Sequence, residues 1–214
     1  MRLEDMSRYW PRCYHITFLR NLGSIRVSQT LLPANLLFAE AGRLELSTRR
    51  RETDILLRIA GRDVMLRNQR ALNPEALDLG PGESLQQYVQ YLNSRTYFSP
   101  GGEMVPTDSV LSLFERTLLP SVVLQIPTWS LFRMNDSRIL TVSNCNSGAS
   151  WLNGGNGSRR DLNSFVVPAS FVGGAAEIVE ISLEGPAQLP SDTRYSLRPM
   201  GPWLRLFPGK GAQT

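Results

Sequence analysis

His15 is the only histidine in the 214-residue chain. It stands in RCYHITFLRNLGSI (residues 12–25), at the end of an alternating, β-branched stretch that runs into a helical one. An imidazole is the side chain best matched to proton transfer or polar recognition near neutral pH, so a lone one at a strand end is a first candidate for a site. Arg49, Arg50 and Arg51 form a basic run, and a guanidinium grips phosphate or carboxylate through its planar fork. Glu177 and Glu180 lie in AAEIVEISLEG. On a strand, residues three apart face opposite ways: Glu177 shares a face with Val179 and Ile181, Glu180 with Ile178 and Ser182, and one of the two carboxylates can enter a cleft. The structural alternative is an edge carboxylate that discourages aggregation. Several chemistries are disfavoured. One imidazole without a Gly-x-Ser-x-Gly elbow does not make a hydrolytic triad. One His and two distant Cys lack the usual zinc ligand set. GGNGS has neither the lysine nor the flanking strand of a phosphate loop, and no Gly-x-Gly-x-x-Gly turn is present.

The elements that must hold these residues are legible as patterns. Residues 13–18 read as a strand, followed by helical spacing at Leu19, Leu22 and Ile25. A second helix is expected from Ala34 through a basic end at Arg51, where cations complement the helix dipole. A hairpin about Gly61 has strands near 54–59 and 63–67, and residues 85–93 have helical spacing. A short aromatic strand in SRTYFSPGGE is expected to stop at Pro100-Gly101-Gly102, and Asp108 to cap another helix. SVVLQIPTWSLF reads as a buried strand and a short helix, residues 143–164 as a long Asn/Gly/Ser-rich loop, and SFVVP and AAEIVEISL as strands. Residues 1–200 are expected to form a single α+β domain, with 201–214 a flexible tail.

Composition adds bounds. Apolar residues are 42% and charged residues 20%, and the formal charge is +4, ordinary values for a globular chain. The N-terminus lacks the apolar core of a secretory signal, no stretch is long and apolar enough for a membrane helix, and Cys13 and Cys145 lack paired spacing. Reduced thiols in the cytoplasm are expected. Of 23 basic residues 22 are arginine, Lys210 being the sole lysine. That suits an anionic ligand or nucleic acid, although biased genomic base composition gives the same ratio.

YHITFLRNLGSI, followed by LL, resembles the opening of the DarT-like ADP-ribosyltransferase toxins, in which a Tyr-His-x-Thr strand leads into a helix of the form x-x-Asn-Leu-x-x-Ile. LRNQRALNPEAL, YLNSRTYFSP and NSG at 146–148 look like a bacterial family of unknown function placed near those toxins. The resemblance spans roughly residues 12–185. It implies an ADP-ribosyltransferase-like split β-sheet core with peripheral helices, and transfer of ADP-ribose from NAD to a base of single-stranded DNA or RNA. A toxin or phage-defence role with an antitoxin partner is part of the same implication. On the matching positions, His15 would be the motif histidine, with Ile16, Thr17 and Asn21 beside it on the cofactor. Arg50, chosen over Arg49 and Arg51, would be the catalytic arginine, and Glu177, chosen over Glu180, the catalytic glutamate. YFSPGGEMV departs from the Pro-Arg-Ser-Pro-Met-Leu-like continuation of the toxins, which puts the acceptor in doubt more than the cofactor.

The residue types suit that chemistry. A carboxylate can stabilise positive charge developing on a ribose and take the acceptor's proton, an arginine can grip the pyrophosphate, and Tyr97 or Phe98 can stack on nicotinamide or a base. The rival readings are a protein ADP-ribosyltransferase or NAD glycohydrolase, and a non-catalytic module binding nucleic acid or a partner on the same scaffold.

Overall fold

A computed structural model describes residues 1–72, 76–147 and 160–208. Its frame is a seven-stranded sheet in the order β11-β10-β6-β1-β5-β8-β7, antiparallel at every pairing. The strands are β1 (Arg12–Phe18), β5 (Arg95–Gly101), β6 (Ser121–Pro127), β7 (Leu140–Ser143), β8 (Glu180–Glu184), β10 (Arg194–Ser196) and β11 (Leu204–Arg205). Alternation sorts β6 between two cores. Val122, Leu124 and Ile126 enter the main one with Cys13 and Leu131, whereas Val123 joins Tyr14 and Val110 on the opposite face. Helices α1 (Leu3–Tyr9), α2 (Leu22–Ser28) and α6 (Thr128–Met134) supply Met6, Ile25, Leu131 and Phe132 to the first, and α5 (Asp108–Glu115) covers the second.

A satellite unit sits beside the sheet. Helix α3 (Ala34–Glu40) packs Leu37 and Phe38 against Leu57 and Val64 of the hairpin β3 (Ile55–Ile59)–β4 (Arg62–Leu66). The hairpin turns on Ala60 and Gly61, both with positive φ (47° and 78°), as a two-residue type I′ loop requires. Residues Thr30–Leu31 (β2) pair with Ala187–Gln188 (β9). Helix α4 (Leu85–Asn93) starts at a capping box in which Ser84 and Gln87 bond each other's backbone N–H, satisfying donors the first turn leaves open.

Several expected elements are different. The helix from Ala34 ends at Glu40, because Gly42 adopts φ +68°, so Arg49–Arg51 lie beyond the short 3-10 turn Leu44–Leu46 and not on a helix end. Strand β5 continues through Pro100 and Gly101, where a Cβ would come within 2.5 Å of the Tyr14 ring. Thr107, not Asp108, occupies the N-cap position of α5. SFVVP contributes only the bridge Val142↔Val166. Ala175–Glu177 is a 3-10 turn, and the strand begins at Glu180. The expected flexible tail includes β11 and the buried Leu206 and Phe207; residues 209–214 lie outside the described residues, as does 148–159 of the expected long loop.

Candidate active site in the split of the sheet

Strands β1 and β5 are paired at Arg12↔Gly101, Cys13↔Pro100 and Tyr14↔Ser99 and no further. Yet β1 remains registered to β6 through Phe18, and β5 to β8 from Phe98 to Arg95. The two neighbours therefore part beyond Tyr14. The His15 ring crosses the gap, its Nδ1 2.8 Å from the Tyr97 carbonyl oxygen. A carbonyl can only accept, so Nδ1 carries the proton and Nε2 keeps its lone pair. Burial pushes the imidazole down to about 4, the bond to Tyr97 opposing and the charge of Arg67 adding to the shift. His15 is thus a neutral acceptor at physiological pH. Ile16 turns its carbonyl to the same gap, where Arg67 Nη2 approaches it at 3.4 Å; its N–H lies on that edge too, since one residue's N–H and C=O share a side in an antiparallel strand.

A cavity of about 1210 Å³ opens at the split. Its walls include β1 from Tyr14 to Phe18, the segment around Arg51, residues 66–71 after β4, β5 from Arg95 to Ser99, and Glu180. Glu180 is 9% exposed and accepts the Ser147 N–H on Oε2 at 2.5 Å. Burial pushes its carboxyl up to about 7, against the Ser147 bonds and the charge of Arg160. Tyr97 stands near enough that the Glu180 charge adds to burial in holding the phenol well above its ordinary range. Its hydroxyl is buried with no partner among the described residues, and its ring meets Phe165 edge-on at 5.6 Å.

Arg51 is the fixed member of the arginine run. Nε donates to the Arg67 carbonyl at 2.7 Å and Nη1 to Asn93 Oδ1 at 2.5 Å, while Gln69 holds its backbone from both sides. Burial lowers the Arg51 pKa to about 10. Arg50 also lines the cavity, but it donates to the Gln69 carbonyl and pairs with Glu52 at 2.9 Å; Arg49 is exposed.

Glu177 is not among the cavity's walls. It is exposed, and its carboxylate accepts the Gly174 N–H at 2.9 Å, closing the 3-10 turn. Asn21 spends its amide on structure: Nδ2 donates to Met65 O and Thr17 Oγ1, and Oδ1 accepts the Met65 N–H. It positions β4 instead of offering the amide to a cofactor. Thr17 and Tyr97 line the cavity. Phe98 is 1% exposed and packs in the main core. Arg160 is buried and bridged to Leu77, and Arg159 lies outside the described residues.

Residues 11–193 match the model of a family of unknown function, DUF7002. The chain belongs to that family. No curated protein and no solved structure matches it. Within this DUF7002 chain, sequence reasoning missed Arg67, Gln69 and Asn93. Arg67 follows directly on β4 and resembles any other arginine in pattern. Asn93, at the last turn of an amphipathic helix, announces nothing of the 2%-exposed amide that serves both Arg51 and Gln69.

Proposed function

We propose that this protein is an NAD-dependent mono-ADP-ribosyltransferase whose carboxylate is Glu180. The observation that carries the reading is the convergence of a neutral acceptor imidazole, a braced arginine and a buried carboxyl poised near neutrality on one cavity at the split. The cavity, about 1210 Å³, is roomy for a dinucleotide, since sites for smaller ligands occupy roughly 300–1,000 Å³. Breaking the nicotinamide–ribose bond leaves the electron pair on nicotinamide and positive charge on the ribose. Glu180, ionised, stabilises that charge in a dry setting where electrostatics act strongly, and takes the proton of the acceptor as the new bond to the ribose carbon forms. His15 Nε2 accepts a ribose hydroxyl, and the Ile16 edge offers both a donor and an acceptor to the carboxamide.

The favoured acceptor is a nucleic-acid base. Exposed Arg62, Arg70 and Arg116 stand on the cavity wall, and among the described residues none of them forms an ion pair. Incubation with labelled NAD and single-stranded DNA, RNA or lysate tests the reaction. Glu180→Gln is expected to keep NAD binding and lose on the order of 100-fold or more in rate, and Glu177→Gln to remain active. A wild-type chain that binds no NAD sinks the proposal. Nicotinamide release without a labelled macromolecule makes the protein a glycohydrolase instead.

A further inference from the structure

Arg51 and Arg67 are both half-buried in the cavity wall, and burial lowers each to about 10. Burying a guanidinium is costly unless a counter-charge or a full set of hydrogen bonds compensates. Neither has one. Among the described residues neither arginine forms an ion pair, although eight other arginines do, as in Arg58–Asp63 and Arg50–Glu52. Arg51 bonds neutral oxygens of Arg67 and Asn93. Arg67 has a 3.4 Å bond to Ile16 O and a place over the Phe18 ring at 5.8 Å, and its Nε is buried with no partner. The two charges are also close enough to oppose each other. Such an arrangement leaves the positive charge of the pair only partly offset.

Both groups are held in place by neighbouring side chains of the same wall. Asn93 and Gln69 fix Arg51. The stem of Arg67 leaves β4 two residues after Met65, whose N–H and C=O are both gripped by Asn21. A preorganised pair of forks suits a diphosphate, one phosphate to each guanidinium.

We infer that Arg67 and Arg51 form a diphosphate subsite, with Arg67 the residue that makes the cavity select diphosphate esters over ligands lacking phosphate. This rests on the NAD reading for the ester's identity, not for the anion site itself. The test measures binding of ADP-ribose, inorganic pyrophosphate, nicotinamide and a short single-stranded oligonucleotide to wild type, Arg67→Met and Arg67→Lys by calorimetry and thermal shift. Wild type is expected to bind ADP-ribose and pyrophosphate. Arg67→Met should lose at least ten-fold in affinity for both, Arg67→Lys should fall between, and nicotinamide binding should not change. The unliganded Arg67→Met protein should melt no lower than wild type, because an uncompensated charge has gone. Equal ADP-ribose affinity in wild type and Arg67→Met overturns the subsite while leaving the NAD reading intact. Pyrophosphate binding that depends on Arg67, with no NAD binding, upholds the subsite and overturns the NAD reading. A lower melting temperature with parallel loss of nicotinamide binding makes Arg67 structural and overturns the inference, as does an oligonucleotide that competes with pyrophosphate at equal or higher affinity.

Discussion

The two titrating groups of the cleft are displaced in opposite directions by the same cause, burial: His15 falls from 6.5 to about 4 and Glu180 rises from 4.5 to about 7. Their linkage to stability is opposite too. Glu180 favours the fold below pH 4.5, and that contribution is lost as pH rises through about 7; His15 contributes fully above pH 6.5 and loses its contribution as pH falls through about 4. Across the window between, the two nearly cancel. Glu180→Gln removes one side. It should be more stable than wild type by up to roughly 3 kcal/mol above pH 7, with no difference below about pH 4, as urea midpoints across pH will show. The wild-type rate should rise with pH as Glu180 ionises. His15 was legible because it is the chain's one imidazole. Glu180 was not, because the face argument assumed a strand through 175–183, and Ala175–Glu177 is a 3-10 turn closed by the Glu177 carboxylate itself.

At the scale of elements, the site depends on the hairpin β3–β4 and on how it is fastened. Asn21 imitates a strand partner for Met65, tying the satellite core of α3 and the hairpin to the helical turn after β1. Asn21→Ala leaves the Met65 N–H and C=O without those partners, which costs about 1–3 kcal/mol when such groups are buried. It should also free Arg67. The expected outcome is faster hydrogen exchange at the Met65 amide and weaker ADP-ribose binding, with nicotinamide affinity kept. The hairpin could be read from its apolar bursts about Gly61, and α4 from its spacing. The helix expected to reach Arg51 could not, since whether a Gly in a helical pattern is tolerated or adopts positive φ, as Gly42 does, is decided by tertiary packing. Likewise β11 is only two residues long, too short for a period, and is held by the burial of Leu206 and Phe207 beside it.

For the molecule as a whole, among the described residues no helix is long and apolar enough to cross a membrane, and the arginine excess finds part of its explanation in the cleft. Arg70 and Arg116 reach it from different elements and lie close enough for Arg70 to add to the burial that lowers Arg116. Arg70→Glu with Arg116→Glu should weaken oligonucleotide binding and flatten its dependence on salt, while calorimetric NAD affinity stays as in wild type; loss of both together would place these arginines in the cofactor site. The sheet's order and its split were not legible from composition or period, because pairing partners distant in the chain leave no local signature. One detail of that split reaches furthest. Strands β1 and β5 touch over three pairs, and at the closed end Gly101 lies under the Tyr14 ring with no room for a methyl group. Those pairs act as a fulcrum and the diverging strands as its arms, so a slight wedge at Gly101 is magnified at the far end. The width of the cleft is therefore calibrated at the closed end of the paired strands, by the absence of a single carbon atom.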